Sequence, residues 1–146
     1  MPRHLVALLL IATPVTAAPV PKALQVKGAR LDGTWEVVCT ELGGEVRLGT
    51  GQTWEIDGET VVLRNNGQVG GSAHYTLVVP TDGGADAVDF TTVYDKSGET
   101  VLQRGRRVTD GDTLTLYLAM RGERPAEAKA GKGVIVYSFR RVKVEK

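Results

Sequence analysis

The sequence predicts a single all-β domain, an antiparallel up-and-down barrel of about eight short strands. Three observations lead there. Short segments alternate between apolar and polar residues, Thr34 to Thr40 and Thr113 to Met120 most clearly. Turn residues interrupt the chain at near-regular intervals, and Asp57-Gly58 and Asp110-Gly111 mark hairpins because the tight turn needs positive φ. The 146 residues are one domain's length, and 18 glycines with abundant Val and Thr suit strands joined by tight turns.

The first segment is an address rather than structure. A short basic start, Met1 to His4, precedes the apolar run Leu5 to Ala12 and then Thr13-Pro-Val-Thr-Ala17. This is the layout of a secretory signal peptide over residues 1–17, cleaved after Ala17 with Val15 and Ala17 at the recognition positions. The apolar run is far shorter than the roughly 20 residues a membrane span needs. No cysteine stands at its end for a lipid anchor. Export to the periplasm or the exterior is the expectation. Cleavage removes Arg3 and leaves 17 basic against 17 acidic residues. Residues 18–30 form a Pro-containing leader with room for a short helical turn.

The barrel domain is expected over residues 31–143. Its first strand, Thr34 to Thr40, places Trp35, Val37 and Cys39 on one face. The glycine-rich stretch from Leu42 to Gly51 reads as a turn, followed by strands over Thr53–Ile56 and Thr60–Arg64. Asn65 to Gly71 makes the next turn. Ala73 to Val79 is a strand with Tyr75, Leu77 and Val79 sharing a face, and Pro80 to Asp86 is a loop. Strands follow over Ala87–Tyr94 and Thr100–Val108, with Gly105 a candidate interruption of the latter. In Thr113–Met120, Leu114, Leu116 and Leu118 share a face, and Gly133–Val142 closes the set. Pro125 to Ala130 is the one helix candidate, since proline suits a first helical position and Gly131 a stop. Sequential hairpins favour a meander, and closing it removes the sheet edges that invite aggregation.

Several motifs carry a resemblance. They are Leu31-Asp-Gly-Thr-Trp35, Trp54-Glu-Ile-Asp-Gly-Glu-Thr-Val61, Asp110-Gly-Asp-Thr-Leu-Thr-Leu116, Gly122-Glu-Arg-Pro125 and Phe139-Arg-Arg141. Together, over Leu31 to Val142, they resemble an uncharacterised family of small exported lipocalin-like domains of planctomycete bacteria. The resemblance implies a lipocalin-like fold and export, and it implies no activity. The opening also resembles the wider lipocalin G-x-W pattern, in which an arginine of the last strand packs over the indole at one end of the barrel. That resemblance implies a barrel-closing role for Gly33, Trp35 and either Arg140 or Arg141. Parity favours Arg141, which shares a face with Ile135, Tyr137 and Phe139.

No constellation for chemistry stands out. His74 is the one histidine after the signal segment, and Ser72, Ser97 and Ser138 lack a nucleophile-elbow context. Cys39, the single cysteine, has no internal disulfide partner and no adjacent base, and it reads as a small buried hydrophobe on its strand. One histidine and one cysteine are too few for a zinc site. Asp57-Gly-Glu59 and Asp110-Gly-Asp112 lack the ligand run of a calcium loop, and Gly67, Gly70 and Gly71 lack the context of a phosphate cradle. Neither an enzyme nor a metal or cofactor protein is expected. A formal net charge of +1 gives no electrostatic case for nucleic acid, and Arg104, Arg106, Arg107, Arg140, Arg141 and Lys143 read as a solvated face.

The functional expectation is a binding module that holds a small apolar molecule inside the barrel. Its candidate lining is Val37, Trp54, Tyr75, Leu77, Phe90, Leu116 and Tyr137, with Ile56, Leu63 and Leu114 beside them. An eight-stranded interior is just wide enough for packed side chains or one small ligand. The alternative is therefore a filled barrel that serves as a structural or protein-interaction module of the envelope or exterior. Arg121, Glu123 and Arg124 are the loop candidates, able to meet an anionic group or a partner, with loop-fixing ion pairs from Glu123 and Arg124 as the structural alternative.

Overall fold

A computed structural model describes residues 31–145 of the protein. The signal segment and the whole leader, residues 1–30, with the helical turn expected there, lie outside the described residues. The chain forms ten strands of one sheet: β1 (Gly33–Leu42), β2 (Glu45–Leu48), β3 (Gln52–Asp57), β4 (Thr60–Asn65), β5 (Gln68–Val69), β6 (Ala73–Val78), β7 (Ala87–Tyr94), β8 (Thr100–Asp110), β9 (Thr113–Ala119) and β10 (Val134–Arg141). All pairings are antiparallel, and β10 pairs with β1 to close the sheet. Setting aside the short additions β2 and β5, the remaining eight strands pair in chain order, so the domain is a closed up-and-down barrel of the lipocalin-like kind. The described residues contain no helix, and therefore none long and apolar enough to cross a membrane.

Alternation builds the interior. Leu114, Leu116 and Leu118 of β9 are buried, as are Val88 and Phe90 of β7 and Phe139 of β10. They meet Trp35, Val37, Trp54, Ile56, Val61 and Leu77 in one continuous core. The Asp57-Gly58 and Asp110-Gly111 pairs form the expected turns, with Gly58 and Gly111 at φ 61° and 54°.

A β-bulge reorganises β1. Val37 pairs with Phe139, but Cys39 pairs with Ser138, so one extra residue is inserted between them. Beyond the bulge, Thr40 and Leu42 align with the inward residues Tyr137 and Ile135, and Cys39 turns to the outer face with Ser138. The expectation that Cys39 shares a buried face with Trp35 and Val37 is thus corrected, because strict alternation does not survive an inserted residue. Gly49 sits against this bulge: its N–H donates to Val38 O at 2.7 Å, and a side chain there would run into the Val37 carbonyl oxygen.

The same region holds a strand the sequence hid. β2 lies between Gly43-Gly44 and Gly49, so the glycines flank a strand instead of filling a turn. Likewise β5 forms inside the stretch expected as a turn after Asn65, by folding back on the end of β4. The helix expected over residues 125–130 does not form. In a helix the Pro125 carbonyl would accept from the amide four residues on, but it accepts the Arg106 Nε–H at 2.6 Å, and the Lys129 amide turns to Glu127 O. β8 runs unbroken through Gly105, which lies directly opposite Leu118. Val79 lies beyond the end of β6 and is exposed.

Candidate functional site

One pole of the barrel is sealed by three residues from its two end strands. Trp35 is fully buried and its indole Nε1–H donates to Leu31 O at 2.7 Å. The Arg141 guanidinium lies over the indole, 4.1 Å from the ring centroid, and its Nη1 donates to Asp32 O at 2.8 Å. Gly33 has φ 127°, and a Cβ there would lie 2.6 Å from Arg141 Nη1. The tryptophan fills the pole, the arginine covers it, and the glycine leaves room for the arginine. Arg140 points away and pairs with Glu36 on the surface. This arrangement joins the last strand to the first and to the segment leading into it.

The centre is aromatic. Trp54 stacks on Phe90 with centroids 5.0 Å apart and meets Tyr137 and Phe139 at 5.2 and 5.0 Å. Phe90 also stacks on Tyr75 at 5.8 Å and 13°. Each such pair contributes about 0.5–1.5 kcal/mol beyond its area burial. Burial pushes the Tyr137 hydroxyl above its ordinary range, and the neighbouring Tyr75 adds to the effect. Trp54 Nε1 is buried with no hydrogen-bond partner among the described residues. The residues expected to line a central ligand cavity are therefore brought together, but as packing. Val37, Trp54, Leu77, Phe90 and Leu116 belong to the buried core, and Tyr137 packs against it.

Tyr75 has a second environment. β4 and β6 pair only at Thr60–Thr76 and Val61–Tyr75, and beyond these β4 turns to pair with β5. The wall parts into a slot of about 380 Å³, lined by Val61, Leu63, Val69 and Tyr75, with Gly70 and Gly71 at one side and His74 and Asp95 at the rim. His74 Nε2 stands 3.0 Å from Asp95 Oδ1. The slot reaches inward residues of both strands, since Val61 is core and Leu63 and Tyr75 pack on the core. Its size and mostly apolar lining are those of a small-molecule site. Sequence reasoning named Tyr75 and Leu63 but missed the slot, because the parting depends on β5.

No protein-family model, curated protein or solved structure matches this chain.

The charged loop divides its candidates. Arg124 is turned to the barrel wall, where Nη2 meets Asp89 Oδ1 at 2.6 Å and Nε donates to Gly105 O at 3.1 Å. Arg106 completes the clamp, pairing with Asp86 at 2.7 Å and holding Pro125 O. The loop-fixing role thus falls to Arg124 with Asp89; Glu123 is exposed. Arg121 and Glu123 instead border an open cleft of about 470 Å³ with Met120, Pro125, Lys132 and Val134. Arg107 is buried on β8 opposite Leu116, and burial lowers its pKa while Asp86 partly offsets the shift. Cys39 is half-buried on the outer face. Among the described residues no group of three or more His, Cys, Asp or Glu side chains is placed to hold a metal ion.

Proposed function

We propose that the chain is an exported lipocalin-like module that binds a small apolar molecule in the wall slot between β4 and β6, not on the barrel axis. The observation that carries this reading is the parting of β4 from β6 into a slot of about 380 Å³ with Val61, Leu63, Val69 and Tyr75 on its walls. The aromatic centre argues against an axial ligand, since Trp54 has Phe90, Tyr137 and Phe139 within 5.2 Å. Export is supported by the sequence of residues 1–17, and the resemblance to small exported lipocalin-like domains points the same way.

The test is native mass spectrometry of the protein recovered from its export compartment, compared with Val69→Glu. Val69 is 61% exposed, so the substitution places a charge in the slot without touching the core. A small molecule retained by the wild type and lost from the variant supports the reading. A ligand-free mass in both, with no slot resonance shifting when an apolar dye is titrated, overturns it.

A second reading, the filled barrel as a protein-interaction module, has its own observation. Val46 and Leu48 on β2 are 58% and 79% exposed, and Val38 beside them is 45% exposed. A partner captured through this hairpin, with an empty slot, favours that reading.

A further inference from the structure

We infer that the slot selects a flat aromatic molecule rather than an aliphatic one of the same size; this rests on the slot being a ligand site. Trp54 stacks on Phe90 at 5.0 Å and 23°, and Phe90 stacks on Tyr75 at 5.8 Å and 13°. The three form a run of near-parallel rings from the centre of the barrel to its wall. Trp54 and Phe90 are buried, 2% and 5% exposed, whereas Tyr75 is half-buried and lines the slot. The run therefore ends on a ring that solvent reaches through the wall. A planar ring entering between β4 and β6 meets that surface and continues the stack.

The rest of the lining fits the same shape. Val61, Leu63 and Val69 supply apolar contact from β4 and β5, and Gly70 and Gly71 present no side chain to a broad, thin guest. Polar side chains line the slot as well, Thr60 and Thr76 together with His74 and Asp95. His74 and Asp95 are 3.0 Å apart, with side chains 83% and 44% exposed, so one hydrogen-bonding substituent on the guest is met on the solvent side while the ring lies inside. An aliphatic guest of equal volume gains the burial but not the ring-on-ring term. The ring term alone corresponds to a preference of up to about tenfold.

The experiment compares 2-naphthol with decahydro-2-naphthol, which share a skeleton and a hydroxyl but differ in flatness and π-electrons. Binding is followed by backbone and methyl NMR shifts on the full folded domain. The expected result is a preference for 2-naphthol of about tenfold, with shifts centred on Val61, Leu63, Val69 and Tyr75. Tyr75→Phe keeps the preference. Tyr75→Leu removes it and leaves decahydro-2-naphthol binding in place, and if that variant fails to fold, the Tyr75→Phe and Val69→Glu results still decide. Equal affinity for the two probes overturns the aromatic selectivity and leaves the slot as an apolar site. Shifts from neither probe at these residues overturn both the selectivity and the slot as a site.

Discussion

The guanidinium carbon of Arg141 lies 4.1 Å above the Trp35 ring, and the same side chain donates to the carbonyl of Asp32. One residue of the last strand thus binds the first strand and the segment leading into it. The contact is part-buried, so solvent screens it only in part.

Arg141→Ala removes both the cation–π contact and the hydrogen bond. The expected loss is about 2–4 kcal/mol in urea unfolding, with the fold retained. Arg141→Lys restores only part of it, because an ammonium cannot lie flat on the indole while donating sideways to Asp32 O.

Gly49→Ala tests the bulge. The new Cβ runs into the Val37 carbonyl oxygen, which is backbone and cannot step aside. A loss of about 3 kcal/mol or more is expected, larger than for Ala at Gly44, which has φ 83° and open space where a Cβ would stand, so that only the backbone strain is felt. Thermal unfolding of the two variants makes the comparison.

Arg124→Ala and Asp89→Ala test the loop clamp. Both side chains are mostly covered, at 14% and 24% exposure, and lie 2.6 Å apart. Each single substitution is expected to cost about 1.5–3 kcal/mol, and the double substitution less than their sum. Limited proteolysis between Met120 and Gly133 is expected to speed up in all three variants.

Tyr137 sets a limit at alkaline pH. Its folded-state pKa lies above the ordinary value of 10.0, so the folded state holds the proton longer than the unfolded chain does. The resulting stability is complete below pH 10.0 and is lost as pH rises toward the folded-state value. Tyr137→Phe is expected to flatten the alkaline fall in stability relative to wild type, measured by urea unfolding at a series of pH values.

Much of the barrel was legible because its strands obey simple alternation. The leucines of β9 and the Asp-Gly hairpins needed no tertiary information. Arg141 was separable from Arg140 by parity alone, since the ladder on β10 is regular where it meets β9. What escaped reading depended on contacts between distant segments. The face of Cys39 is set by a bulge against β10, and the loop at Pro125 is set by Arg106, 19 residues away. Arg124 was visible as a charge in a loop, but its partner Asp89 is 35 residues distant. The slot escaped for the same reason: two residues of β5 decide whether β4 stays beside β6.

The sealed pole has a further consequence. Val142 N–H donates to Thr34 O at 2.8 Å, so the chain leaves the barrel beside the place where it enters. The barrel is topologically a ring with a nick beside the Trp35–Arg141 contact. A short linker joining the two ends there, with new ends opened at the exposed Lys96-Ser97 turn, gives a circular permutant in which every pair of staves is kept. In such a chain Trp35 and Arg141 become near neighbours in sequence, and the longest-range closure of the fold becomes a local one.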